Sequence, residues 1–168
     1  MAREIPPEEF RTALGLFATG VTVVATAHEG VLHGMTANAF ASVSIDPLLV
    51  LVCVDREAGL HELLPAAGVF AVTVLAADQE EAAGWFASPR RPGGRDQFDG
   101  VAWRPAPVTA SPVLDDGLAF VDCRVTELHE GGDHTIFLGE VVDLGLLRAD
   151  VDPLVFYAGQ YRRLRPLE

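Results

Sequence analysis

Gly34-Met35-Thr36-Ala37-Asn38-Ala39-Phe40-Ala41-Ser42-Val43-Ser44-Ile45-Asp46-Pro47 is the stretch on which the reading of this chain turns. Its side chains are mostly small or hydroxylated, with one amide, and it lies between two apolar runs that each predict a buried strand. Small side chains leave backbone N–H groups open to a ligand. Thr36, Asn38, Ser42 and Ser44 fall at even spacings, so on one extended segment all four would share a face. Two readings stand at this point: a sheet edge or bend with ordinary turn chemistry, or a wall that meets a ligand.

Downstream, Leu48 to Val54 is a continuous apolar run bounded by Pro47 and Asp55-Arg56, which predicts a strand buried on both faces. Upstream, Val21 to Ala27 is rich in β-branched residues and reads as a strand, and after His28-Glu29-Gly30 the segment from Val31 to Met35 returns as a hairpin arm. Pro6-Pro7-Glu8-Glu9-Phe10 opens a helix with Phe10, Ala13, Leu14 and Phe17 on one face, ending near Thr19-Gly20. A second helix runs from Leu60 to Ala67 and is closed by Gly68. Val69 to Leu75 is the next strand, and Asp78 is expected to cap a helix to about Phe86, with Trp85 and Phe86 as its anchors.

Ala87 to Asp99 is rich in proline, glycine and arginine and lacks periodicity, which predicts a mobile surface loop. Its arginines are either solvated or placed to attract a phosphate. Val101 to Trp103, Leu118 to Leu128 and Thr135 to Leu146 supply further strands, the last two joined by a turn from Glu130 to His134, and Pro153 to Tyr161 reads as a final short strand. Six or more strands with hairpin turns and two or three short helices predict a mainly β, closed antiparallel barrel, in a single domain over residues 1–168. No Gly-x-Gly-x-x-Gly follows a strand, which argues against a doubly wound dinucleotide fold.

The formal net charge is −12 and every basic side chain is an arginine. Such a field repels nucleic acid and anionic membranes, so neither is expected as a partner. The chain has no apolar run of about 18 residues and no signal-peptide pattern, from which a cytoplasmic location is expected. Cys53 and Cys123 lie in apolar strands and read as core thiols, and no histidine pair has metal-ligand spacing, so no metal is expected. Hydrolytic signatures are absent too. Asp115-Asp116 sits in a turn, where a solvated pair is the simpler reading.

His134 follows Gly131-Gly132-Asp133 and precedes a strand, so a turn presents its imidazole at a strand mouth. On residues alone it is either a surface histidine or part of a site. Gly34 to Ser44, followed by Asp-Pro and an apolar strand, resembles a characteristic segment of the flavin reductase-like family, the reductase components of two-component flavin monooxygenases. Gly131 to Val141 is similar to a second motif of that family. Thr19 to Val24, Phe70 to Leu75, Phe98 to Trp103 and Phe156 to Tyr161 extend the resemblance from about Phe10 to Leu164.

The resemblance implies an FMN-binding split barrel that forms a homodimer and reduces free FMN or FAD with NADH or NADPH for a partner monooxygenase. It implies flavin contacts from Met35, Thr36, Ala37, Asn38, Ala39, Ser42, Cys53, Val54, Asp55, Arg56 and Ala58. It also places Phe156, Tyr157, Ala158 and Gly159 near the nicotinamide nucleotide, and His134 beside both rings. Hydride transfer asks little acid or base of a protein, so the role expected of His134 is positioning and electrostatic. Three departures stand out: Asp55-Arg-Glu-Ala-Gly-Leu60 lacks the hydroxyls the family commonly sets around its flavin phosphate, Gln97 replaces a basic residue, and Ala158 replaces a frequent arginine. Arg56, or the loop from Arg90 to Arg95, would then hold the phosphate. Two other readings keep the fold: a non-catalytic flavin-binding or carrier module, and a redox protein using another ligand such as deazaflavin or haem.

Overall fold

β-Branched residues on either side of Glu29-Gly30 build the hairpin from which the main sheet grows in the computed structural model, which describes residues 3–165. In chain order the elements are α1 (Pro7–Gly15), β1 (Thr19–Gly20), β2 (Thr22–His28), β3 (Val31–Ala37), β4 (Phe40–Ile45), β5 (Leu48–Asp55), α2 (Gly59–Ala67), β6 (Val69–Val74) and α3 (Glu80–Ala87). A 3₁₀ turn (Gly94–Phe98) then leads to β7 (Trp103–Pro105), β8 (Pro112–Leu114), β9 (Ala119–Gly131), β10 (His134–Leu146), β11 (Val155–Tyr157) and β12 (Gln160–Arg162). Seven strands form one antiparallel sheet in the order β3-β2-β6-β9-β10-β5-β4, accompanied by the small sheets β1-β11-β12 and β7-β8. The molecule is therefore mainly β with short helices. The hydrogen-bonded order has two ends, β3 and β4, which follow one another in the chain across Asn38-Ala39.

β2 is buried on both faces. Val24 joins Val52, Val54, Phe70 and Phe137 in a cluster covered by Leu60 and Leu64 of α2. Val21, Val23 and Ala25 join Leu75, Phe98 and Leu154 in a second cluster, covered by Ala83 and Phe86 of α3. The two helices thus close opposite sides of the same strand. Apolar burial of this kind drives the fold, at roughly 25 cal/mol per Å².

Several expectations are corrected. β5 alternates: Val50, Val52 and Val54 are buried, whereas Leu49, Leu51 and Cys53 are half-exposed, so a continuous apolar run hides a strand with two unlike faces. The first helix stops at Gly15 with Leu16 as its cap, because Thr19-Gly20 is drawn into pairing with Phe156 and Val155. Asp78 does not cap α3; its carboxylate binds Arg148, and Gln79 stands at the helix start with its side chain accepting from the Ala76 amide. Phe86 anchors α3 as expected, but Trp85 is partly exposed and donates its indole N–H to Gln97 O at 2.7 Å.

The segment from Ala87 to Asp99 ends in the 3₁₀ turn, whose Gln97 and Phe98 are fully packed, so it is tied down at that end. The last strand is in fact the hairpin β11-β12, turning over Ala158 and Gly159 at φ 50° and 75°. That turn requires left-handed backbone at both central positions.

Candidate functional site

The stretch from Gly34 to Pro47 is not one extended segment. It bends at Asn38-Ala39 between β3 and β4, and a register shift between Ser42 and Ser44 breaks the alternation again. Its polar groups therefore part company. Thr36 donates its hydroxyl to Ala83 O at 2.7 Å, binding β3 to α3, and the Ser44 hydroxyl accepts from the Asp46 amide at 3.2 Å. Gly34 is small because a Cβ there would lie 2.9 Å from Phe86 Cε1, and its amide is taken by Gln97 Oε1 at 2.7 Å. Packing, not a ligand, explains both of those residues.

The stretch nevertheless lines two clefts, one from the bend and one from β3 before it. One, of about 620 Å³, is lined by Phe17, Thr19, Asn38, Ala39, Leu51 and Cys53. It is largely apolar, and the Thr19 hydroxyl in its wall is buried without a hydrogen-bond partner among the described residues. The other, of about 580 Å³, is lined by His33, Met35, Thr36, Asp55, Ala58 and Arg91 among others. Met35 and Thr36 face one cleft and Asn38 and Ala39 the other, while β5 gives Cys53 to the first and Asp55 to the second. Two short pieces of chain thus serve both spaces.

His134 pairs with Asp55 across the β5-β10 ladder, two positions along from the Ile136 and Cys53 pair. Ladder partners project on the same side, so His134 shares the face of Cys53 and Asp55. Its Nδ1 lies 2.8 Å from Asp133 Oδ1, and that contact holds the Asp133 carboxyl below the usual carboxylate range. Nε2 has no hydrogen-bond partner among the described residues, and His134 lies outside the lining of both clefts. Gly132, at φ 76°, makes the tight turn that brings His134 to the strand mouth.

The remaining sequence candidates scatter. The side chains of Ala37 and Val54 are buried in the core, so they can offer a ligand only backbone. Ser42 lies exposed on β4, outside the lining of both clefts. Arg56 turns into a separate cleft with His61, His129 and Thr135, 3.4 Å from Glu130 Oε1. Phe156 packs at 5.6 Å on Tyr161, while Ala158 donates its amide to Gly15 O at 2.8 Å. Phe156, Tyr157, Ala158 and Gly159 thereby belong to the hairpin that pins the α1-β1 connection, and Thr19-Gly20 of that connection walls the apolar cleft.

Sequence reasoning missed His33 and singled out Arg91 only as one of several loop arginines. His33 lies between Gly59, Gln97 and Arg91, and burial together with the Arg91 charge pushes its pKa down to about 4, so it is neutral at ordinary pH. Burial also raises the Cys53 thiol above its usual range, which leaves it a poor nucleophile. Cys123 is pushed up to about 12, and both cysteines are free. No cluster of three metal-ligating side chains occurs among the described residues, and no described helix is long and apolar enough to cross a membrane.

Residues 14–165 match the model of the flavin reductase like domain. The chain is 46% identical over 158 residues to an NADH-dependent FAD reductase of Streptomyces globisporus, covering 94% of this chain and 86% of that protein. It is 39% identical over 165 residues to HsaB, the reductase subunit of a flavin-dependent monooxygenase of Rhodococcus jostii, covering 98% and 82%. Among solved structures it superposes with a TM-score of 0.88, at 42% identity and 98% coverage of both chains, on the NADH:FAD oxidoreductase SgcE6 of Streptomyces globisporus in complex with NAD and FAD fragments.

Proposed function

The chain belongs to the flavin reductase-like domain family, and from that premise we propose that it is an NADH-dependent flavin reductase that reduces FAD or FMN and supplies the reduced flavin to a separate monooxygenase. The observation that carries this reading is that the chain on the two sides of the bend after β3 lines two clefts, Asn38 and Ala39 one of about 620 Å³ and Met35 and Thr36 one of about 580 Å³, with Cys53 and Asp55 of β5 divided between them in the same way. Each cleft lies within the size range of small-molecule sites.

When bound, the flavin supplies the hydride-accepting chemistry. The chain's own residues bind, orient and exclude water. Phe17, Leu51 and Cys53 give the apolar cleft a dry wall, and Asn38 and Thr19 offer it polar atoms. His134, steadied by Asp133, offers Nε2 toward negative charge that develops beside β5. Met35, Thr36, Asp55 and Ala58 border the second cleft, with backbone from Ala37 and Val54 behind them. Arg56 and Ser42 belong to this proposed set at its margin. The hairpin from Phe156 to Gly159 positions the α1-β1 wall on the nicotinamide side.

The same reading takes the described residues as one domain, with the seven-stranded sheet rolled into a split barrel so that β3 and β4 come together across the bend. It takes the protein as a cytoplasmic homodimer. Support for a second copy comes from apolar side chains that the single chain leaves bare, Phe17 at 74% and Ile45 at 90% exposed. Anaerobic stopped-flow absorbance tests the activity: protein and FAD or FMN are mixed with NADH or NADPH, and the oxidised flavin band is followed. Bleaching far above the protein-free rate, faster with NADH, is expected. Binding without bleaching would instead make the protein a flavin carrier.

A further inference from the structure

The cleft between β3, α2 and the segment after α3 has one guanidinium in its wall, and that group is short of partners. Arg91 donates from Nη1 to Ser88 O at 2.6 Å and from Nη2 to Gly34 O at 2.9 Å, with His33 Nε2 a further 3.4 Å from Nη2. Its Nε is buried and unpartnered among the described residues. Of the four Nη hydrogens Ser88 O and Gly34 O take two, so the Nη groups retain donors for a ligand, whereas the buried Nε faces protein. Arg91 is half-buried, yet it belongs to no ion pair among the described residues. A partly desolvated cation without a counter-ion is unfavourable, and an arriving anion relieves it.

The rest of the cleft offers an anion little else. Asp55 Oδ1 takes the Glu57 amide at 2.8 Å, so the turn after β5 satisfies itself and brings two carboxylates to the cleft wall. Arg56 faces Glu130 in another cleft, and Gln97 spends its amide on Leu32 O, Gly34 N and Gly94 O. The two loop residues flanking Arg91 cannot substitute, since Arg90 is absent from the cleft lining and Pro92 carries no charge. Arg91 is the cation that remains.

Resting on the flavin-reductase reading, we propose that Arg91 grips the phosphate of the flavin nucleotide in this chain and makes the site favour phosphorylated flavin over riboflavin. Arg91 lies in the connection after α3, and its bonds to Ser88 O and Gly34 O fix the guanidinium between that connection and β3 at the cleft wall.

Riboflavin has the same ring system without phosphate, so the ratio of FMN to riboflavin affinity isolates the contact. Dissociation constants for both, from quenching of flavin fluorescence, are measured for the parent, Arg91→Ala, Arg91→Gln and Arg90→Ala. Loss of a charge-assisted contact is expected to lower the ratio on the order of tenfold or more in both Arg91 variants. Arg90→Ala, which changes net charge equally, is expected to leave the ratio within about twofold, the effect of a screened surface charge. Gln retains amide donors for Ser88 O and Gly34 O, so it carries the test if the Ala variant does not fold. Equal weakening of FMN and riboflavin, or an unchanged ratio, overturns the proposal. A parent that reduces flavin while the ratio stays fixed removes this inference alone; a parent that binds no flavin removes the flavin-reductase reading with it.

Discussion

Replacing Gln97 by leucine is expected to destabilise the protein strongly although no catalytic group is touched. β3 ends the sheet, so its outward backbone groups have no strand to pair with. The Gln97 side chain, itself fully buried, stands in for that strand: Oε1 accepts from Gly34 N at 2.7 Å and Nε2 donates to Leu32 O at 3.0 Å. A primary amide copies the donor and acceptor of a peptide group, which is why glutamine suits the place. Nε2 also donates to Gly94 O at 2.9 Å, tying the 3₁₀ turn to the edge.

Leucine fills similar volume but leaves the Gly34 amide and the Leu32 carbonyl buried and unpaired, at about 1–3 kcal/mol each. A total of about 3–4 kcal/mol is expected, against a stability of about 5–15 kcal/mol for a typical domain. For a chain of this size that lowers Tm by about 6–16 °C. Urea denaturation followed by circular dichroism, with a parallel thermal melt, measures it. A loss under about 1 kcal/mol would refute the edge-capping argument, since one orphaned group alone should cost that much.

His134→Ala is expected to slow hydride transfer about tenfold or more in single-turnover stopped flow, the scale of one lost electrostatic contact, with little change in Tm because its ring is 41% exposed; a rate within about twofold of the parent would remove its electrostatic role. Stability is expected to fall as pH drops from 6.5 to about 4, because His33 has its native pKa lowered from 6.5 to about 4. Above that window the ring is neutral in both states; within it the unfolded chain takes up a proton that the native state refuses, so the unfolded form is favoured. With the ring partly exposed, the loss is discounted to about 1–2 kcal/mol, and His33→Gln should flatten the pH dependence of urea unfolding by that amount; an unchanged slope would count against it.

Local chemistry was legible wherever a residue's role depends on its immediate neighbours. Gly68 takes the left-handed cap of α2 at φ 65°, and the Glu29-Gly30 turn closes β2 on β3, as their sequences predict. The motif around His134 likewise forms a tight turn before a strand. Roles that depend on distant chain were not legible. Thr19-Gly20 looked like a helix stop until Phe156 and Val155 paired with it, and Asp78 looked like a cap until Arg148 reached it from 70 residues away.

The sequence by itself determined a mainly β chain with short helices, an acidic surface, and two motifs that resemble a flavin reductase, because strand propensity, turn residues and motif spacing are carried by contiguous residues. Only the tertiary structure decided which polar groups of Gly34 to Pro47 are free. Gly34 and Thr36 are consumed by Gln97, Phe86 and Ala83, while Asn38 and Ala39 face a cleft. It also separated Arg56 from Arg91, sending one toward Glu130 and setting the other in the wall of the second cleft with no ion pair among the described residues. The physical reason is that a hydrogen-bond donor's availability is set by what else packs within about 3 Å of it, and in a sheet those neighbours come from residues far apart in the chain.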